Sequence, residues 1–319
     1  MNYVERALVF PCAGDSLIAV LSVPEGNVTQ GVVIVVGGPQ YRAGSHRQFV
    51  LLARGLAGKG LAAMRFDYRG MGDAQGQPRS FEAVGDDLRA AIDAFFHELP
   101  GVQTLTLWGL CDAASAVLMY AHADPRIAKI VLVNPWVRSA ATLARTQLKH
   151  YYGSRLADRE FWNRICRGEF DFSAATRSFV TNLGAALGVP GRAVVPVARA
   201  ADTDPATAAD TDLATAADKD LATVPHADLA TATHTESNVL AARMADGLRR
   251  FKGRALVILS GRDLTAREFV DVSGGSPAWP DLRRAERIEV RDLPEADHTF
   301  SRREWREQVI EWTAAWAGP

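Results

Sequence analysis

Short runs of apolar, often β-branched residues recur along this chain, and they alternate with longer stretches in which apolar positions return every three or four residues. GVVIVVGG, LAAMRFDY, VQTLTLWG, IAKIVLVN and ALVILSG are nearly continuous hydrophobics, the pattern of strands buried on both faces. Between them, Gln48 to Gly58, Phe81 to Leu99 and a stretch beginning at Asp112 read as helices. This alternation predicts an α/β fold with a mainly parallel, doubly wound sheet and right-handed crossovers.

The two ends of the pattern differ from its middle. VERALVF and LIAVLSV flank a turn containing Gly14-Asp15, which predicts an N-terminal antiparallel hairpin at a sheet edge. After Asn134-Pro135 the alternation breaks, and Trp136 to Leu187 reads as helices carrying Tyr151, Tyr152, Phe161, Trp162 and Phe170, an inserted cap. From about Ala200 to Ser237 the chain is rich in Ala, Thr and Asp, with DPAT, DLAT, DLAT and DLAT starting at Asp204, Asp212, Asp220 and Asp228. That spacing lacks the large apolar residues a solenoid stacks, so it reads as a loose linker. A helix near Val239 to Phe251, the strand ALVILSG, the strand RIEVRDL and an amphipathic helix over Arg303 to Trp316 complete the chain. The expected organisation is a core over 1–135 and 251–319, interrupted by a helical insertion over 136–250.

Composition narrows the function classes. Lys plus Arg number 36 against 37 Asp plus Glu, which argues against a nucleic-acid footprint. The cysteines Cys12, Cys111 and Cys166 have no zinc-site or disulfide spacing, so neither a metal nor another cofactor is expected and a reducing cytoplasm fits best. The N-terminal stretch does not read as a signal peptide, and no run approaches the roughly 20 apolar residues of a membrane span. Peripheral membrane contact stays open.

The chemistry concentrates at LTLWGLCDAASAVLMYA, where a strand runs through Gly109-Leu110-Cys111-Asp112-Ala113 straight into a helix. This is the G-x-S-x-G nucleophile elbow in context, with cysteine for serine and alanine for the last glycine. Small flanking residues let so tight a turn pack, and a helix N-terminus favours a thiolate. Taken alone, Cys111 reads equally well as a small buried hydrophobe. The order of its partners shifts the balance. Asp263 follows ALVILSG within SGRDLTAREF, and His298 lies in LPEADHTFS before the last helix, so nucleophile, acid and histidine come in α/β-hydrolase order. Each has a plainer reading: Asp263 as the cap of a helix near Thr265, His298 as a loop residue beside a capping Thr299 or Ser301. Asp297 and Glu295 are rival acids.

Gly37-Gly38-Pro39-Gln40-Tyr41 follows the first parallel strand, where glycines let a backbone approach a developing oxyanion. Pro39 has no N–H to donate, so the first donor is the Gln40 amide or the Tyr41 hydroxyl, with Gly38, Pro39 and Tyr41 lining the site. The second donor is the amide of Asp112. In FDYRGMGDAQG, the residues Asp67, Arg69, Gly70 and Gly72 read as architecture around the site.

With these segments in view, GGPQYRAGSHRQF, FDYRGMGD and GLCDAAS resemble the type 1 hydrolase associated with exosortase A systems, in the serine-aminopeptidase-like branch of the α/β-hydrolases. The resemblance covers Asn2 to about Phe179 and resumes near Val239. It implies a hydrolase linked to exopolysaccharide and protein-sorting functions, and it settles no substrate. The chemistry expected from the residues is acyl transfer from a small-molecule or lipid-linked ester or thioester to Cys111, with His298 as base and Asp263 orienting it. An acyltransferase with the same nucleophile and a noncatalytic accessory module of envelope assembly are the competing readings.

Overall fold

The computed structural model describes residues 2–38, 41–137 and 239–318. Its strands form one eight-stranded sheet: β1 (Tyr3–Cys12), β2 (Asp15–Pro24), β3 (Gln30–Val35), β4 (Ala62–Asp67), β5 (Thr104–Leu110), β6 (Ile127–Val133), β7 (Arg254–Ser260) and β8 (Ile288–Leu293). The spatial order is β1-β2-β4-β3-β5-β6-β7-β8. β1 and β2 form the expected antiparallel hairpin, turning through Ala13 and Gly14 at φ 51° and 91°. β2 pairs antiparallel with β4, and every later pairing is parallel.

The apolar runs are explained by two cores. In β3, Val33 and Val35 enter one core while Val32 and Ile34, with Val36 just after the strand, enter the other. β6 divides in the same way, with Ile130 and Leu132 against Val131 and Val133. Alternate side chains of a strand point to opposite faces, so burial on both faces requires both parities to be apolar. Helices α2 (Gly85–Glu98), α3 (Asp112–Tyr120) and α5 (Leu264–Gly274) cover the first face, through residues such as Ile92, Phe95, Val117 and Phe269. Helices α1 (Gln48–Gly58) and α6 (Arg303–Ala317) cover the second, through Phe49, Leu52, Leu56, Val309 and Trp316.

One boundary differs from the sequence expectation. The helical residues 239–250, here α4, bury Leu240, Met244, Ala245 and Leu248 in the first core, and the compact unit comprises Met1–Arg138 with Val239–Pro319. Apolar residues every three or four positions mark an amphipathic helix without saying which sheet it covers, so the expected insertion over 136–250 loses its last helix to the core. The rest of that insertion, including the helices expected to Leu187 and the octapeptide region, lies outside the described residues, as do Pro39, Gln40 and Cys166.

Candidate active site

The parallel strands all end at one edge of the sheet, and Cys111, Asp263 and His298 sit where the chain leaves β5, β7 and β8 at that edge. Cys111 occupies the turn from β5 into α3 with φ 61° and ψ −126°. A non-glycine residue held there stores strain of about 1–3 kcal/mol and persists only where its surroundings over-determine it. They do so here. The Cys111 amide donates to the Val133 carbonyl at 2.9 Å, and its carbonyl accepts from the Ala114 and Trp136 amides at 3.0 and 3.2 Å. On the strand side, a β-carbon on Gly109 would stand 2.6 Å from the Ala113 carbonyl oxygen, so the turn closes only with glycine at that position.

Asp263 and His298 arrive from the ends of β7 and β8. His298 Nδ1 lies 2.7 Å from Asp263 Oδ2, while Asp263 Oδ1 accepts the Thr265 amide at 2.9 Å. The helix-cap reading and the histidine-partner reading of Asp263 therefore both hold, one oxygen each. The rival acids are engaged elsewhere: Asp297 accepts from Ser301, and Glu295 pairs with Arg262 at the surface. Neither Thr299 nor Ser301 caps the last helix, whose N-cap is Arg302 without a side-chain hydrogen bond.

Cys111 lies close enough to His298 to act on the ring's titration. Burial works against a charged ring, but the Asp263 hydrogen bond and the charges of Asp263 and Cys111 outweigh it and push the His298 pKa up to about 10. The ring is thus held readily in its charged form, able to keep a proton taken from the sulfur. Some 28% of its side-chain surface remains accessible, leaving an approach from solvent.

The loop after β3 is fixed at two points. The Gly38 amide donates to Asp112 Oδ2 at 2.8 Å, and the Arg42 amide donates to Asp67 Oδ1 at 2.6 Å. Arg42 adds ion pairs to the fully buried Asp67 and, at 2.7 Å, to Asp73. Arg69 clamps Asp87 through its backbone and guanidinium at 2.9–3.0 Å, so Asp67 and Arg69 act as loop architecture. Tyr41 is 51% exposed. Among the described residues no group of three or more His, Cys, Asp or Glu side chains could hold a metal ion.

Asn134 escaped the sequence reading, which used it only as a break in pattern. It sits at the end of β6 with φ 45°, fully buried. Its Nδ2 donates to Ser260 Oγ at 2.9 Å and to the His298 carbonyl at 3.4 Å, and its Oδ1 accepts the Ser260 amide at 2.8 Å. Two residues on, the Trp136 carbonyl accepts from Ser115 Oγ at 2.6 Å. The segment after β6 thus ties the Cys111 turn to the loops that carry Asp263 and His298. Its one local signal was an asparagine at a strand end, a residue type that tolerates positive φ.

Solved structures match this chain along nearly its whole length. They include the Pyrococcus furiosus esterase Pf2001, with a TM-score of 0.55, 13% identity and coverage of 99% of this chain and 94% of that one. Est1E from Butyrivibrio proteoclasticus, with ferulic acid bound, gives 0.54 and 14%, covering 97% of each chain. DcsB in complex with its substrate analogue gives 0.58 and 15%, covering 98% and 99%. This is an α/β-hydrolase fold. At such identities the likeness extends to the fold alone. The family model described as serine aminopeptidase, S33, matches residues 28–177 of this α/β-hydrolase-fold chain, a stretch containing the Cys111 turn. A curated relative, the polyketide transferase grgF from Penicillium sp, is 30% identical over 100 residues. Those residues are 30% of this chain and 34% of that protein, so the chain spans about a third of the relative's length.

Proposed function

We propose that this protein is a hydrolase of activated acyl groups, esters or thioesters, working through a Cys111-His298-Asp263 triad and a thioacyl-enzyme. The observation that carries the reading is Cys111 at a strained strand-to-helix turn, beside a histidine whose Nδ1 lies 2.7 Å from a carboxylate. The Cys111 proton passes to His298, the sulfur bonds to the substrate carbonyl carbon, and the carbonyl electron pair moves to oxygen. The Asp112 and Gln40 amides are the proposed donors to that oxyanion. As the intermediate collapses, the bond to the leaving oxygen or sulfur breaks and His298 returns the proton to it. Water then attacks the thioester, giving its proton to His298, and Cys111 is released with its proton restored.

The choice of acyl donor follows from sulfur chemistry. A thiolate leaves as readily as it attacks, so a tetrahedral intermediate made from an amide reverts unless the amine is protonated first. Esters and thioesters carry better leaving groups and pass forward. The name serine aminopeptidase therefore does not transfer to this chain as an activity, because Cys111 stands where a serine would attack. The exosortase-associated setting and a lipid-linked acyl donor belong to this proposal on the strength of the GLCDAAS and GGPQYRAGSHRQF motifs, and a reducing cytoplasm suits its free thiols.

Transfer to an acceptor other than water is the second reading, favoured by the likeness of 100 residues to a polyketide transferase. One experiment addresses both. The protein is incubated with short- and long-chain acyl thioesters and esters and followed by intact mass and product release. An adduct on the wild type that is lost in Cys111→Ala and persists in His298→Ala supports the thioacyl-enzyme, and no adduct with any probe refutes it. Product release accelerated by added alcohols or thiols, with little hydrolysis in their absence, favours transfer.

A further inference from the structure

We infer that Gly261 is a positioning residue for the proposed reaction: by carrying no side chain it lets the backbone leaving β7 close onto the backbone leaving β8, and that closure brings the Asp263 carboxylate to the His298 ring. Its part in catalysis rests on the proposed function; its part in the geometry does not.

β7 and β8 pair in parallel up to Ser260 opposite Leu293, and the pairing does not stop where the strands do. The Gly261 amide donates to the Leu293 carbonyl at 2.9 Å, and the Arg262 amide donates to the Ala296 carbonyl at 3.0 Å, so the two departing loops are zipped together by their main chains. The Ala296 amide donates to the Leu293 carbonyl at 3.1 Å, folding the chain after β8 into a turn that Gly261 and Arg262 grip. At the surface Arg262 pairs with Glu295, and the Arg267 guanidinium donates twice to the Gly261 carbonyl, at 2.7 and 3.2 Å. Asp263 is the next residue on one loop and His298 lies just beyond Ala296 on the other, so their 2.7 Å contact stands at the end of this zipper.

Space, not backbone angle, demands glycine at position 261. Its φ lies outside the left-handed region, yet a β-carbon there would stand 2.1 Å from the Pro294 carbonyl oxygen, 2.6 Å from Pro294 Cα and 2.7 Å from the Pro294 carbonyl carbon. All three atoms are main chain, so no change of rotamer relieves the contact, and real β-carbons essentially never come under 3.0 Å. Any larger residue must push the two loops apart by the better part of an ångström. Opening the Asp263–His298 contact by that much takes it past hydrogen-bonding distance. The Asp263 carboxylate cannot follow the ring, because its other oxygen is held by the Thr265 amide.

Gly261→Ala, alone and combined with Asp263→Ala, tests this. Acylation of Cys111 by a thioester should fall about 100-fold in Gly261→Ala, the scale of a misplacement of about 1 Å. With Asp263 already removed, the same substitution should cost no more than about 2-fold, because a residue that acts through Asp263 has nothing left to act on. The His298 ring should titrate below its wild-type value of about 10 in Gly261→Ala and approach its value in Asp263→Ala, a shift that a merely structural role would not produce. Arg267→Ala removes the two exposed bonds to the Gly261 carbonyl without adding bulk. It should lower acylation about 3-fold, the scale of one exposed hydrogen bond, and only while Asp263 is present. Should Gly261→Ala fail to fold, Arg267→Ala is read by the same criteria. Acylation at the wild-type rate, a loss as large without Asp263 as with it, or a His298 midpoint that stays at the wild-type value overturns the inference. The titration needs no substrate: a wild type that takes an acyl group from no probe refutes the proposed function, while the His298 midpoint still decides whether Gly261 sets the pair.

Discussion

The Asp263 carboxylate is divided between His298 and its own helix: Oδ2 stands 2.7 Å from His298 Nδ1, and Oδ1 receives the Thr265 amide at 2.9 Å. The helix bond holds the carboxylate still, with no freedom left in the side chain to follow the ring elsewhere. The carboxylate in turn fixes which ring nitrogen faces Cys111.

Asp263→Asn separates these duties. The amide oxygen can still cap α5, but a second acceptor for the ring N–H is gone, or the amide must flip and surrender the cap. Thioester hydrolysis should fall on the order of 10²–10⁴-fold, the range for losing base orientation. Stability should change by only about 1 kcal/mol, the size of one cap. Steady-state kinetics and urea unfolding on the same sample read the two effects. A variant that hydrolyses at the wild-type rate rules out Asp263 as the orienting acid.

The His298 pKa of about 10 makes a prediction with a definite sign. In the unfolded chain a histidine loses its proton near 6.5. Between those values the native protein holds a proton that the unfolded chain has released, so stability from the charged ring is fully present below about 6.5 and is lost as pH rises through about 10. The difference in unfolding free energy between wild type and His298→Gln should shrink across that window. The imidazole resonances should titrate near 10 in the wild type and at a lower pH in Cys111→Ala, because Cys111 is one of the two partners that raise the value. A midpoint near 6.5 in both proteins would contradict the coupling.

Much of the fold was legible because it rests on local pattern. Val32 to Val36 announce a strand buried on both faces, and Gly109 to Ala113 announce a tight turn between strand and helix. Asp263 and His298 were legible for a different reason, since chain order and position after a strand substitute for distance in an α/β-hydrolase fold. What local pattern does not carry is pairing across the sequence. Asn134 meets Ser260 at a separation of 126 residues, and Asp112 meets Gly38 at 74. Neither asparagine nor aspartate announces its partner, and the helix over 239–250 did not announce which sheet it covers. The Gln40 amide and the expected cap lie outside the described residues and stay with the proposal.

Asn134 tests whether the strand-end hub matters. The side chain is fully buried and satisfies both the amide and the hydroxyl of Ser260, with a longer bond to the His298 carbonyl. Asn134→Ala leaves those groups without their partner, which costs about 1–3 kcal/mol for a buried polar group, and it places alanine at φ 45° without the local tolerance of asparagine. Asn134→Gly removes the same hydrogen bonds but accepts the backbone angle, so it should be the milder of the two by about 1 kcal/mol. Both should slow acylation more than alkylation of Cys111, because the hub holds the loops carrying His298 and Asp263, whereas the Cys111 turn keeps its own bonds to Val133, Ala114 and Trp136. Urea unfolding of the two variants, with acylation and alkylation rates measured below the onset of unfolding, checks the ranking. Glycine proving as damaging as alanine would place the loss in the hydrogen bonds alone and leave no share for backbone strain.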